Sequence, residues 1–316
     1  MHALVLRYMN VTHRPLVGIV YCIFALLCFA VQDSLIKLLA DRYAVLQILC
    51  IRSLAALLIL IFVGQYLLGF RVFKATQPLP MVLRGILAFL AFTTYYLALT
   101  RIPLAEAAAV YMTAPLFVTM LSVPLLGERV GWHRWLAVTF GFCAVVIMLN
   151  PGSALFRVEA AMPLFSALCY ALIPILSRKI GFSEHALTIA VYTITSFLLL
   201  CLLASTIVYS VPPAATGSGF TGNLLQRWSL PTLADLWLMA LSGAVFTAGL
   251  LCITQAYRVA IVSSVAPFEY SYLVWASLLG YLAFGDLPGS RTVLGSVAVV
   301  ACGCYVLYRE HVRRGV

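Results

Sequence analysis

The sequence predicts an all-α integral membrane protein whose ten transmembrane helices form two inverted five-helix repeats. Three observations predict this fold class: the composition, a series of ten apolar segments, and a layout shared by the two halves of the chain. Of the 316 residues, 64% are hydrophobic and 9% are charged, whereas a typical soluble domain has about 25% charged residues. A chain this apolar cannot cover a water-facing surface, so lipid must form part of its surroundings.

The ten apolar segments approach the roughly 20 residues that cross a bilayer as a helix. The predicted spans are 16–37, 45–68, 80–99, 104–126, 134–150, 160–179, 186–209, 233–255, 260–284 and 292–308. Most connectors are short and contain turn residues, whereas 210–232 is rich in Pro, Gly, Ser and Thr and is predicted to be an irregular surface loop. The first segment is too long for a signal peptide and lacks a small-x-small cleavage site.

The domain organisation follows from these spans. We expect an N-terminal segment at 1–15, a first repeat at 16–150, a second repeat at 160–308 and a C-terminal tail at 309–316. An even number of spans places both termini on one side of the membrane, and that side carries thirteen Lys and Arg residues against six on the other. By the positive-inside rule, both termini are cytoplasmic and the loop 210–232 is external.

The two halves share a layout around the segments 98–128 and 256–286. At an offset of 158 residues, Gly127 aligns with Gly285 and Glu128 with Asp286. Each block contains a short turn, a span of small residues and a Gly–acid pair before a final span. Identity between the blocks is weak, and membrane segments look alike in general, so the prediction depends on the layout. Two halves of five spans have opposite orientations because five is odd, which is the arrangement of inverted-repeat transporters.

The two blocks resemble the paired domains of the drug/metabolite transporter superfamily, in its bacterial EamA branch. The resemblance is carried by "AEAAAVYMTAPLF…LLGE", by "VSSVAPFEY…AFGD" and by "AVQDSLIKLLADRYAVLQILCIRS" near the start of the chain. Asp286 stands where the family usually has Glu. The resemblance implies a multi-pass transporter of the inner (cytoplasmic) membrane. Its solute would be an amino acid or derivative, or a compound like S-adenosylmethionine, riboflavin or an opine-type metal chelator.

Three charged residues fall within the first two spans. An ionisable group inside the bilayer costs at least about 2.5 kcal/mol, so such a group usually faces a cavity or a partner. Asp33 and Lys37 are one helical turn apart and could neutralise each other. Alternatively, Lys37 reaches the interface as an anchor or gate, and Asp33 faces a cavity. Arg52 lies at a depth similar to that of Asp33, and we expect the two to pair across the helices in a net positive site suited to a carboxylate or phosphate.

The second half contributes a carboxyl group at bilayer depth. Glu269 lies nine residues into span nine and is a candidate proton carrier or contact for a cationic amine; a hydrogen bond to a neighbouring helix is the structural alternative. Pro267 is expected to loosen the helix beside it. We also predict that Tyr111, Tyr272 and Gln255 contact the substrate.

Other polar residues are predicted nearer the ends of the spans. Arg84, at the start of span three, and Glu106, at the start of span four, are gate or interface candidates together with Lys37; positive-inside placement and the helix dipole also explain the first two. Tyr95 and Tyr96, at the end of span three, are typical of an interfacial aromatic belt.

These observations favour a secondary transporter of a small molecule, driven by its own gradient or by protons. No GxxxxGK[ST] motif is found, no CxxC is present among the nine cysteines, and we expect neither a cofactor nor a metal. The basic residues are scattered singly, which argues against nucleic acid as a partner. The five His are isolated, which argues against a lipid-modifying enzyme with catalytic residues. A channel is the other alternative, and an inverted repeat fits it less well.

Overall fold

The computed structural model describes residues 15–127, 131–149, 161–180, 184–210, 226–260 and 265–313. Within these ranges the regular secondary structure is entirely helical. The α-helices are α1 (Pro15–Ala40), α2 (Val45–Leu68), α3 (Pro78–Leu99), α4 (Leu104–Tyr111), α5 (Ala114–Leu126), α6 (Trp132–Leu149), α7 (Met162–Ile180), α8 (Ala186–Ser210), α9 (Leu233–Val259), α10 (Ser271–Phe284) and α11 (Ser290–Arg313). Short 3₁₀ helices cover Gly69–Phe73 and Ala266–Tyr270.

Six helical segments in the described part of the chain are long and apolar enough to cross a membrane. They are Leu16–Ala40, Val45–Phe73, Pro78–Leu99, Leu104–Leu126, Ala186–Ser210 and Leu233–Val259. Three further apolar helical stretches are shorter, at Trp135–Leu149, Met162–Ser177 and Ser290–Tyr305. The protein is therefore a multi-pass membrane protein, as the composition predicted. Parts of the predicted N-terminal segment, external loop and C-terminal tail lie outside the described ranges, namely residues 1–14, 211–225 and 314–316.

The predicted span 104–126 is interrupted rather than continuous. Helix α4 ends at Tyr111, and α5 begins at Ala114. Pro115 has no N–H to donate to the carbonyl one turn earlier, which is that of Tyr111. The Thr113 hydroxyl donates to the carbonyl of Val110 at 2.7 Å, so a side chain replaces part of the helical ladder.

The predicted span 260–284 is not a uniform α-helix either. The 3₁₀ turn that contains Pro267 precedes α10, which starts at Ser271. The looser backbone expected at Pro267 is therefore found, while residues 261–264 lie outside the described ranges. Helices α5 and α10 end on glycines in the left-handed conformation, Gly127 and Gly285, each with a φ of 68°. Only glycine adopts this conformation without steric cost, which fixes where both helices stop.

The helices pack mainly against partners that are distant in sequence. Helix α1 lies along α9 and also contacts α10, whereas α7 lies along α3 and also contacts α5. Helix α2 packs against α8 and α9, α3 packs against α8, and α6 packs against α11. Consecutive helices α1 and α2 touch only slightly. Helix α9 approaches α2 so closely that a Cβ at Gly243 would lie 2.3 Å from the Arg52 carbonyl oxygen.

Candidate functional site

The carboxylate of Asp33 is the centre of a buried hydrogen-bond network. Asp33 lies on α1 and is 5% exposed. Its Oδ1 accepts hydrogen bonds from Tyr96 Oη on α3 and from Gln32 Nε2, both at 2.8 Å. Its Oδ2 accepts one from the hydroxyl of Tyr272 on α10. The hydroxyls of Tyr95 and Tyr272 are 2.8 Å apart, which extends the network. Donors from α1, α3 and α10 therefore satisfy both oxygens of this buried carboxyl group.

Arg52 joins this network without touching the carboxylate. Its Nη1 donates to Gln32 Oε1 at 3.0 Å and to Tyr96 Oη at 3.4 Å. Both acceptors are themselves hydrogen-bonded to Asp33. The direct ion pair expected between Asp33 and Arg52 is therefore wrong: Gln32 and Tyr96 bridge the two charges. The physical reason is that α1 and α2 barely touch, because α9 packs against both of them.

The Arg52 guanidinium is enclosed by aromatic rings. Its Cζ lies 4.6 Å from the ring centroid of Phe246, 5.6 Å from those of Phe92 and Phe197, and 5.7 Å from that of Tyr96. Ring faces attract a cation, by roughly 2 kcal/mol or more when it is desolvated. The side chain is fully buried, and its Nε and Nη2 have no hydrogen-bond partner. Each unmet buried donor costs about 1–3 kcal/mol.

A row of tyrosine rings leads away from the buried network. The ring of Tyr111 lies 5.1 Å from that of Tyr95 and 5.4 Å from that of Tyr170, centroid to centroid. Tyr95 is buried, Tyr111 is half-buried and Tyr170 is 38% exposed. The row therefore runs from the Asp33 network to the surface of α7. Tyr111 joins this row, and Tyr272 binds Asp33 directly rather than lying against Glu269.

Glu269 forms a second polar centre, on the 3₁₀ turn before α10. Its Oε1 accepts a hydrogen bond from the hydroxyl of Tyr257 on α9. The side chain is half-buried. The hydrogen bond to a neighbouring helix that the sequence allowed is thus present. It links the broken start of α10 to α9.

Lys37 pairs with an acidic residue other than Asp33. Its Nζ lies 2.8 Å from Asp286 Oδ2 and donates to the Ile102 carbonyl at 3.2 Å. The same ammonium group lies 4.7 Å from the ring centroid of Phe284. The alternative in which Asp33 and Lys37 neutralise each other is therefore wrong. Asp286, which follows Gly285, holds the end of α10 against the end of α1 and the turn before α4.

The remaining predicted residues lie outside these two centres. Arg84, half-buried on α3, donates from Nη1 to the Ser177 hydroxyl and to the Ile173 carbonyl, so it ties α3 to α7. Glu106 lies in the first turn of α4, where the helix dipole favours an acid. Gln255 is half-buried near the end of α9 and does not belong to the hydrogen-bond network around Asp33. Glu128 lies outside the described residues.

Sequence reasoning missed three members of the buried network. Tyr95 and Tyr96 were expected in an interfacial belt, but they are 3% and 1% exposed and face Asp33. The belt prediction was wrong because the Tyr96 hydroxyl bonds to Asp33 on α1 and the Tyr95 hydroxyl lies 2.8 Å from that of Tyr272 on α10. Gln32 was not singled out, although an amide next to an intramembrane Asp is itself a signal: the side chain can both donate and accept.

Comparisons with known proteins match this chain to transporters. Residues 16–150 match the EamA-like transporter family. The chain is 27% identical over 294 residues to an S-adenosylmethionine uptake transporter of Rickettsia prowazekii, with 93% of each chain covered. It is 29% identical over 311 residues to a riboflavin transporter of Vibrio cholerae, with 96% of each covered. It is also 27% identical to a pseudopaline exporter of Pseudomonas aeruginosa, covering 92% of this chain and 96% of that one.

A solved crystal structure shares the fold. It superposes with a TM-score of 0.59 at 17% sequence identity and covers 94% of this chain and 98% of that one. At this identity the likeness concerns the fold alone. The family match, the relatives that extend over nearly the whole chain and the helical membrane architecture lead to one conclusion. The match over residues 16–150 and the transporter relatives support an EamA-type protein of the drug/metabolite transporter superfamily.

Proposed function

We propose that this metabolite transporter moves a small polar or zwitterionic solute by alternating access and that its substrate site is built around Asp33 and Arg52. The observation that carries the proposal is the buried network in which Asp33 joins residues of α1, α3 and α10 and reaches Arg52 on α2. A charged network at this depth is expensive in a membrane protein and is usually functional. It holds opposite charges apart, which suits a solute that carries both signs.

The alternating-access mechanism requires two inverted repeats of five spans, and the packing pattern supports them. With α4 and α5 counted as one span, each half has five spans. When each span of the first half is replaced by the span at the same place in the second half, and the reverse, the helix contacts map onto each other. The α1–α9 contact corresponds to α7–α3, α1–α10 corresponds to α7–α5, and α2–α9 corresponds to α8–α3. The α2–α8 and α6–α11 contacts map onto themselves. Such an exchange is what a pseudo-two-fold axis in the membrane plane produces.

The two interrupted spans support the same repeat. At the offset of 158 residues, the start of α5 at Ala114 corresponds to residue 272, one residue from the start of α10 at Ser271. The two left-handed glycines, Gly127 and Gly285, correspond at the same offset. Broken helices at matching positions of two repeats are typical of transporter substrate sites near the membrane midplane.

We further propose that the chain lies in the cytoplasmic (inner) membrane with both termini inside. Bacterial relatives and the excess of Lys and Arg on one side support this orientation. The pair Lys37–Asp286 then lies at the external end and Arg84 at the cytoplasmic end. In this structure the Lys37–Asp286 bridge joins elements of both repeats, as expected for a closed external gate.

Glu269 is our candidate for proton coupling. Its half-buried carboxyl group accepts a hydrogen bond from the Tyr257 hydroxyl. Such a group can take up a proton and become neutral, or release it and become charged. Glu269 lies in the 3₁₀ turn before α10, so a change of its charge would act where the helix is interrupted. Gln255 and Tyr111 stay substrate-contact candidates, on α9 and in the row of tyrosines.

The proposal is tested with purified full-length protein in proteoliposomes. The solutes of the named relatives, S-adenosylmethionine, riboflavin and pseudopaline, form the first panel, together with the common amino acids. A carrier gives saturable uptake that is accelerated by unlabelled solute on the opposite side. Uptake that rises linearly with concentration and shows no such acceleration would favour a channel. Uptake equal to that of empty liposomes for every solute would contradict the proposal for this panel.

A further inference from the structure

We infer that one edge of the Arg52 guanidinium, formed by Nε and Nη2, is the seat of a carboxylate group of the transported solute. The inference rests on the proposed function, because a transporter is what would bring a solute to this depth. It adds the substrate class: solutes that carry a carboxylate. The evidence is the pattern of used and unused donors on one buried side chain.

The guanidinium uses one nitrogen and leaves two unpaired. Nη1 donates to Gln32 and Tyr96, whereas Nε and Nη2 are buried and have no hydrogen-bond partner. The unpaired nitrogens lie along one edge of the planar group and direct two N–H bonds in parallel. A carboxylate presents two coplanar oxygens at the matching separation and accepts both bonds at once. The ion pairs of the described residues, Lys37–Asp286 and Arg42–Asp235, involve other cations.

The walls around this edge select the kind of anion. The rings of Phe92, Phe197 and Phe246 surround the guanidinium and offer no hydrogen bonds. A carboxylate would place both of its oxygens on the edge and leave its carbon stem among the rings. A phosphate would bury further charged oxygens against apolar walls, which is costly without donors. The apolar surroundings of the guanidinium therefore favour a carboxylate over a phosphate.

The seat lies where the two proposed repeats meet, so movement between them would open it. Arg52 and Phe92 belong to α2 and α3 in the first half, whereas Phe197 and Phe246 belong to α8 and α9 in the second. With the rings closed, the edge is shielded from solvent. Separation of α8 and α9 from α2 and α3 would expose it. Binding of a carboxylate is thereby coupled to the relative position of the halves.

The direct test observes the Nε–H group of Arg52 by NMR in full-length protein with isotope-labelled arginine. Acetate is the probe, and acetamide is its uncharged control at equal concentration. We expect a saturable shift of the Arg52 resonance with acetate and none with acetamide. The resonance of Arg84, which ties α3 to α7 and has an unpaired buried Nε but no unpaired buried Nη2 beside it, is the internal control and should stay in place. No acetate-dependent shift of Arg52, or equal shifts with both probes, would overturn the inference.

Assignment of the resonance has two independent routes. Arg52→Lys removes it and keeps the positive charge. If that variant does not fold, Phe246→Leu moves the Arg52 resonance selectively, because the Phe246 ring is the nearest to the guanidinium, at 4.6 Å. Either route identifies the signal that acetate must shift.

A transport measurement separates failure of the inference from failure of the proposed function. S-adenosylmethionine carries a carboxylate, whereas riboflavin does not. Arg52→Lys should lower S-adenosylmethionine uptake by about tenfold or more, because Lys has no two-pronged donor set. Unchanged uptake in the variant would overturn the inference while leaving the transporter in place. If the wild-type protein transports no solute of the panel, the proposed function fails for that panel, and the NMR result alone decides the seat.

Discussion

The ammonium group of Lys37 lies 2.8 Å from the carboxylate of Asp286, although the two residues are 249 positions apart in the chain. The bridge joins the end of α1 to the turn after α10, and Lys37 also donates to the carbonyl of Ile102. Three elements therefore meet at one charged pair. In the proposed orientation this contact closes the external end of the substrate path, and it makes Asp286 a functional part of the Gly–acid motif.

We predict that Lys37 and Asp286 are energetically coupled. The partly exposed side chains, at 15% and 28%, should show a coupling free energy of about 0.2–1 kcal/mol in a double-alanine cycle. The measurement is equilibrium unfolding of the detergent-solubilised protein. Arg42→Ala is the matched control, since Arg42 is 72% exposed and lies 3.9 Å from Asp235. The charge-swapped protein, Lys37→Asp with Asp286→Lys, should recover part of the loss. Purely additive single effects would contradict the coupling.

We predict that Tyr96→Phe impairs transport. The substitution removes the hydroxyl that connects Asp33 with Arg52. Hydrogen bonds to charged groups contribute about 1.5–3 kcal/mol, so uptake should fall by about tenfold or more. Tyr66→Phe is the control, because Tyr66 is 85% exposed on α2. Equal uptake by the two variants would argue against a role for the network.

We predict that Glu269→Gln flattens the pH dependence of transport. Glutamine keeps the size of the side chain but cannot exchange a proton. Uptake by the wild-type protein should respond to an imposed pH gradient, whereas uptake by the variant should not. Tyr257→Phe, which removes the hydrogen bond to Glu269, should shift the pH profile rather than abolish it. A Glu269→Gln variant with unchanged transport and an unchanged pH profile would rule out the proton role.

We predict a pH-dependent contribution of Glu184 to stability, in the loop before α8. The hydroxyl of Thr76 and the backbone N–H groups of Thr76 and Gln77 donate to its carboxylate, at 2.5, 2.5 and 3.0 Å, and lower its pKa. Because the folded-state pKa is depressed, the stabilisation is present above the ordinary pKa of about 4.3 and is lost as the pH falls through the folded value. Glu184→Gln should therefore melt below the wild type at pH 7, with the difference vanishing in acid. A difference that does not change with pH would show that the charge is unimportant.

The apolar runs could be predicted from the sequence because membrane helices report their length and polarity directly. The ends of α5 and α10 at Gly127 and Gly285 were visible for a similar reason, since a left-handed glycine is a local signal. The break at Thr113 was not predicted, although Pro115 beside a Thr that bonds to Val110 carries the necessary information.

The partners of charged residues could not be predicted because they depend on how the helices pack. Asp33 and Arg52 are at similar depth, but α1 and α2 hardly touch, so Gln32 and Tyr96 had to bridge them. Lys37 is one turn from Asp33 along the helix, yet its partner comes from the far half of the chain. Sequence spacing identifies which side chains share a face; it does not identify the helix that the face meets.

The most direct test of the central claim is uptake by proteoliposomes that contain the Asp33→Asn variant, measured beside the wild type for the solute that the wild type transports. The control is Ser53→Ala, a buried residue of α2 whose hydroxyl bonds to the Leu49 carbonyl of its own helix. We predict that Asp33→Asn folds, reconstitutes and reduces uptake to the level of empty liposomes, while Ser53→Ala retains it. If the Asp33→Asn variant takes up the solute as fast as the wild type does, a substrate site built around Asp33 and Arg52 is contradicted.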